Sequence, residues 1–282
     1  EVVMLLRRIT QHVKEQNWFA VGLDFFIVVV GILIAFQITN WSEARQQKAQ
    51  TAQALDSIEA ELSILLFLSN ERLANEPCRV QKIRTLSAKL TEDGDAWAPD
   101  LELDEGSQFS EFALPLILRT PLRPWPDESW QTLMASETAL HLDRAEFSQL
   151  SIIFDLASET DQLDEMAWRL RGQLSHLSMS GTLSASERRS ALRILGELAV
   201  IGDLILINSR YLLKEITLLG YEHKGAKALL QEQYSGLDAA IRGAQSAYGE
   251  CLNLAEFQPI LELVYTGEDD PKTIQELLEI AP

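Results

Sequence analysis

From residue 18 to residue 41 apolar side chains run almost unbroken, in WFAVGLDFFIVVVGILIAFQITNW. Asp24 and Gln37 are the strongly polar interruptions before Thr39 and Asn40. About 20 apolar residues is the length at which an α-helix crosses a hydrocarbon core roughly 30 Å thick. Upstream, residues 4–17 place Leu5 or Leu6, Ile9 and Val13 on one face, with Arg7, Arg8 and Lys14 away from it. That predicts a short basic amphipathic helix lying on a membrane surface. Downstream the polar pattern takes over without a break. Leu55, Ile58, Leu62 and Leu65 recur at 3–4 spacing, which predicts one helix running to about Asn75. Pro77 is expected to end it, and residues 78–90 to resume it. Residues 91–127 hold Asp93-Gly94, Gly106, Pro115, Pro121, Pro124 and Pro126, too many breakers for a helix. The apolar run 114–118 inside them must nonetheless pack, and Trp125 and Trp130 flank the next helix start at Asp127.

Asp143-x-x-Glu146 and Ser184-x-x-Glu187 have the form of capping boxes and open helices at 144–177 and 185–219. Gly220 suits the stop of the second. A further long helix is expected from about Glu222 to Leu254, and a short one from Asp270-Pro271. The expected fold is all-α: one N-terminal transmembrane helix continuing into an extracytoplasmic helical bundle of about four long helices. The expected domains are a cytoplasmic segment 1–17, a membrane helix 18–41 and an outer helical domain 42–282 with an irregular loop at 91–127.

Trp18 and Trp41 stand at the two ends of the apolar run, where indole rings favour the headgroup level. Two other readings compete with a membrane anchor. A buried core helix fits the apolar centre by length alone, but neither the flanking tryptophans nor the basic approach. A cleaved signal peptide is usually shorter and is followed by an A-x-A-like site, whereas polar helical sequence follows here. At 100° per residue, Ala20, Asp24, Val28, Gly31, Ala35 and Ser42 share one face. Gly31-x-x-x-Ala35 is a small-x-x-x-small pair that lets two membrane helices approach closely. Asp24 is read in two ways. It pairs with a group on another membrane helix, or it reaches the cytoplasmic headgroups or is protonated.

The 282 residues carry a formal charge of −18. Residues 1–42 hold Arg7, Arg8 and Lys14 against Glu1, Glu15 and Asp24, so the whole excess falls on 43–282. An acidic domain of that kind repels nucleic acid, which is excluded as a partner. Arg7, Arg8, His12 and Lys14 precede the apolar run. Glu43, Arg45 and Lys48 follow it, so positive-inside counting puts the N-terminus in the cytoplasm.

The run RRITQHVKEQNWFAVGLDFFIVVVGILIAFQITNWSEAR, residues 7–45, resembles the start of a family of uncharacterised bacterial single-pass membrane proteins. The shared pattern is a basic start, VVVGI-x-IA-x-Q, then N-W-x-E and a long polar helix. Residues 128–154, ESWQTLMASETALHLDRAEFSQLSIIF, are similar to a weaker pattern of the same family. The resemblance implies the bacterial inner membrane with the large domain periplasmic. It implies no reaction, cofactor or site.

Two cysteines, Cys78 and Cys251, allow one intramolecular disulfide in an oxidising compartment; two buried thiols are the alternative. His12, His141, His176 and His223 show no H-x-x-x-H spacing, and no C-x-x-C, P-loop, G-x-S-x-G or dinucleotide-binding glycine pattern is present. No cofactor and no catalytic residue is assigned. The expected role is a non-catalytic accessory or scaffold subunit. Its partners are the lipid bilayer and either further copies of itself or other integral membrane proteins. A periplasmic ligand sensor working with a separate signalling partner is the second reading, and a membrane-anchored enzyme the third. A pocket with convergent polar groups would favour the second or third; a broad apolar patch on the outer domain would favour the first.

Overall fold

Helix α1 spans Trp18–Leu90 in the computed structural model, which describes residues 18–99, 124–221 and 251–257. The amphipathic segment at 4–17, the apolar run 114–118, most of the helix expected from Glu222 and the helix expected at Asp270 lie outside the described residues. The described chain is mostly helical. Its other helices are α2 (Glu128–Met134), α3 (Arg144–Gln173) and α4 (Ala185–Leu219), with short 3-10 turns at Glu137–His141, Ser175–Ser178 and Leu254–Phe257.

The chain divides into two compact units, 1–53 and 54–282. In the first unit, the described residues form the start of α1. Thirteen large apolar side chains between Phe19 and Trp41 stand 44–80% exposed there. That exceeds the scattered apolar exposure ordinary in water and marks a surface with something to bury it. An 18-residue window within it has a mean hydropathy of 2.5, which makes α1 the one described helix long and apolar enough to cross a membrane.

In the second unit packing sets in at Ile58. From there α1 presents positions 58, 62, 65, 69, 72, 76, 79, 83, 86 and 90, alternating spacings of four and three, to α3 and α4. The apolar residues collect into two clusters. One holds Ile58, Leu62 and Leu65 with Leu150, Phe154 and Leu212; Trp130 stacks on Phe154 within it, with ring centroids 5.3 Å apart. The other holds Leu86 and Leu90 with Leu174, Leu195 and Leu198.

Pro77 does not end α1, contrary to expectation: the helix runs through it to Leu90. A proline inside a helix costs about 3 kcal/mol, because it has no N–H for the carbonyl four residues back and its ring crowds that carbonyl. Here tertiary structure holds the turn. The carbonyl that loses its donor is that of Leu73; beside it, the Asn253 N–H donates to the Ala74 carbonyl at 2.8 Å, and Cys78 is joined by a disulfide to Cys251. Leu252 and Leu254 bury their side chains in the first cluster beside that link. Cys251 therefore sits in a turn, and the described end of the helix expected up to Leu254 is not α-helical.

The caps behave as the sequence implies, with one difference. Ser184 and Glu187 form a reciprocal capping box, worth about 1 kcal/mol. Asp143 accepts the N–H groups of Ala145 and Glu146, but Glu146 does not return the bond. Its Oε1 instead accepts the Tyr221 hydroxyl at 2.6 Å. α3 stops at Gln173 rather than 177, and its last turn tightens into the 3-10 turn Ser175–Ser178. Gly220 closes α4 at φ 69°, a left-handed conformation that glycine adopts without strain.

One feature is not helical. Strands β1 (Ala96–Trp97) and β2 (Gly181–Thr182) pair antiparallel, Ala96 opposite Thr182. Trp97 anchors this short ladder: its Nε1–H donates to the Leu177 carbonyl at 2.9 Å. The Lys89 ammonium and Arg188 guanidinium lie 5.5 and 5.9 Å from its ring centroid. The segment after α1 is thus tied to the α3–α4 turn. The start of α2 is tied to α1 in a different way. Asp127 makes no side-chain cap; Glu61 Oε1 on α1 accepts the Ser129 N–H at 2.7 Å in its place.

Candidate functional site

The site residues read from the sequence fall in the first unit. Asp24, Val28, Gly31 and Ala35 are exposed along one face of α1. A Cβ built on Gly31 meets nothing within 4 Å, so that face has room for a close neighbour. Trp41 is exposed as well, with the Arg45 guanidinium 5.8 Å from its ring centroid. The side chains of Trp18 and Ala20 lie outside the described residues.

A second group of polar residues, inside the second unit, has no counterpart in the sequence reading. It arises where the apolar seams of three helices are interrupted at the same level. On α1 the seam positions Ser69, Arg72, Glu76 and Arg79 replace apolar residues between Leu65 and Ile83. On α3, in the seam 150, 153, 157, 160, 164, 167, 171 and 174, the exceptions are Thr160, Asp164 and Arg171. On α4 the exceptions at this level are Asn208, whose Nδ2 reaches Thr160 Oγ1 at 3.4 Å, and Ser209, whose hydroxyl donates to the Ile205 carbonyl. The two apolar clusters meet across this polar layer.

Three arginines enter the layer and are satisfied unequally. Arg72 Nη2 donates to Asp164 Oδ2 at 2.5 Å, with both side chains buried. Trp125 Nε1–H donates to the same oxygen at 2.9 Å. Arg79 bonds both Glu76 oxygens, at 2.7 and 2.8 Å, then Asp203 Oδ1 at 2.6 Å and the Ala199 carbonyl at 3.2 Å. Its guanidinium lies against Gly202, where a Cβ would stand 2.3 Å from Nη1. Glycine is therefore required at 202 for Arg79 to lie as it does. Arg171 is only 7% exposed, yet it makes no hydrogen bond or ion pair among the described residues.

The electrostatics follow from burial. Desolvation pushes the Asp164 carboxyl above its ordinary range, against the pull of Arg72 and of the Trp125 N–H. Desolvation also works against the charge of Arg79, but the bonds and charges of Glu76 and Asp203 outweigh it and raise the pKa. For Arg171 nothing outweighs it. Burial, with the nearby charge of Arg72, pushes its pKa down to about 10, and Asp164 only partly opposes this. Holding that charge inside costs on the order of 3 kcal/mol at neutral pH.

Arg72, Arg79 and Arg171 line one cavity of about 50 Å³, together with Asn75 and an apolar wall that includes Ala167, Leu195, Leu198 and Ile205. Asn75 is 5% exposed, and its Oδ1 has no hydrogen-bond partner. No family model, no curated protein and no solved structure matches this chain. Two sites stand out among the described residues. The first is an apolar helix with a small-residue face. The second is a partly open cavity lined by three arginines, whose donors suit an anion. Among the described residues no group of three His, Cys, Asp or Glu side chains is placed to hold a metal ion.

Proposed function

We propose that this chain is a non-catalytic subunit of a bacterial inner-membrane complex, anchored by residues 18–41. Residues 1–17 lie in the cytoplasm and the helical domain, a bundle of long helices, in the periplasm. It assembles with itself or with another integral membrane protein through Ala20, Asp24, Val28, Gly31 and Ala35. What supports this reading above all is the 44–80% exposure of the large apolar side chains from Phe19 to Trp41. Lipid satisfies such a surface; water does not. Lipid also makes Asp24 costly unless it faces a partner or an interface, by about 3 kcal/mol at the bilayer centre and less toward the headgroups.

The assembly is tested by native mass after extraction in mild detergent. The wild-type chain is expected to run as a complex, and Asp24→Leu or Gly31→Leu to disperse it toward the single chain. Equal native masses for wild type and both variants would remove the helix face from the account.

A second reading, ligand recognition in the periplasm, is favoured by the arginine cavity. The chemistry of Arg171 and Asn75 is that of a binding pocket: buried polar groups lining one space, neither Arg171 nor the Asn75 Oδ1 hydrogen-bonded among the described residues.

A further inference from the structure

Arg171 has an unusual position for a structural residue. Buried ionic groups are ordinarily paired and hydrogen-bonded, because an unpaired charge in the interior is strongly destabilising. Arg72 obeys that rule through Asp164, and Arg79 obeys it twice over. Arg171 makes no hydrogen bond or ion pair among the described residues and has only the more distant charge of Asp164, although it is 93% buried on the same measure by which Arg72 is 91% buried. Asn75 repeats the exception on the facing helix. Two helices thus direct unsatisfied polar groups into one cavity.

We propose that this cavity binds a small organic monocarboxylate, with the Arg171 guanidinium as its counter-ion and hydrogen-bond donor. Three observations select that class. First, Arg171 is the one guanidinium of the three with no hydrogen-bonded carboxylate among the described residues, so its donors are open to one carboxylate, while Glu76, Asp164 and Asp203 already balance the three charges and disfavour a dianion. Second, Ala167, Leu195, Leu198 and Ile205 give the cavity an apolar wall, which an inorganic oxyanion would not use. Third, about 50 Å³ compares with roughly 10–15 Å³ for one water molecule, so the space takes an acid of two to four carbons and little more. Arg guanidinium is the group that holds a carboxylate through two parallel hydrogen bonds. The inference rests on the ligand-recognition reading and is independent of how the membrane helix assembles, since every lining residue belongs to the unit 54–282.

The test is thermal unfolding of the full-length chain in detergent, at constant ionic strength, with acetate, propionate or inorganic phosphate added in turn. Propionate or acetate is expected to raise the wild-type melting temperature saturably, by about 5–10 °C at a hundredfold excess over the dissociation constant. Arg171→Met is expected to melt no lower than wild type without ligand and to lose the carboxylate-dependent rise. A rise that persists in Arg171→Met, or a variant that fails to fold, overturns the assignment and makes Arg171 structural. A saturable response to phosphate alone overturns the carboxylate while leaving ligand recognition standing. No saturable response to any of the three overturns both.

Discussion

Replacing Cys78 and Cys251 together by alanine is expected to lower the unfolding free energy by up to about 5 kcal/mol, and the melting temperature by about 10–20 °C. The size follows from the sequence separation of 173 residues, since a link of that span removes much of the freedom of the unfolded chain. The link also has a local task. It fastens residues 251–257 to α1 one residue beyond Pro77, where Asn253 satisfies the Ala74 carbonyl. Without it, the interruption at Pro77 loses its support from outside the helix. Thermal unfolding of wild type with and without reductant, beside the double variant, checks the magnitude. Reduction and substitution should give the same loss. A change under about 2 °C in both would mean that packing of Leu252 and Leu254 alone holds the segment.

Arg72→Met is expected to be nearly as damaging, at about 3–5 kcal/mol, because it leaves the Asp164 carboxylate buried without its ion-pair partner. Substituting both, Arg72→Met with Asp164→Leu, should recover part of the loss: it removes the stranded charge but leaves the buried Trp125 N–H without its acceptor and Arg171 without the carboxylate that offsets its charge. The pH dependence carries a sign. Burial already raises the folded pKa of Asp164 above its ordinary value of 3.8, and loss of Arg72 raises it further. The folded variant then holds a proton that the unfolded chain releases. Its deficit relative to wild type should therefore shrink as pH falls from neutrality through the folded pKa toward 3.8. Denaturant unfolding of the four chains of the cycle, at neutral pH and near pH 5, measures both effects. A double variant as unstable as Arg72→Met alone would show that shape, and not charge, is what Arg72 supplies.

The helices were readable where one rule acted locally. The Ser184 and Asp143 caps and Gly220 set the starts of α3 and α4 and the end of α4 to the residue, because each depends on groups within four positions. Pro77 misled for the opposite reason. Its local effect is to break a helix, and the partners that keep α1 continuous come from residues 251–253, far away in sequence. The β1–β2 ladder was hidden likewise, because two residues carry no period and Trp97 finds its partners only in the folded chain.

The arginine cavity had a signal of its own. The 3–4 repeat that identified Ile58, Leu62 and Leu65 as a packing face continues in register to Leu90, with Arg72, Glu76 and Arg79 in core positions. Polar residues on a packing seam announce a buried polar site, and α3 repeats the pattern with Asp164 and Arg171. Sequence alone does not show that Arg72 and Arg79 are matched while Arg171 is not. That depends on which carboxylates three helices bring within reach.

The central claim is a membrane anchor at 18–41 with the helical domain on the outer side. Paired C-terminal fusions in a bacterial host test it most directly, one to alkaline phosphatase, which is active only after export, and one to a green fluorescent protein that matures in the cytoplasm. The account predicts an active phosphatase fusion in the membrane fraction and a dark fluorescent fusion. A bright fluorescent fusion with an inactive phosphatase would contradict it, and would place the helical domain, the cavity and both cysteines in the cytoplasm.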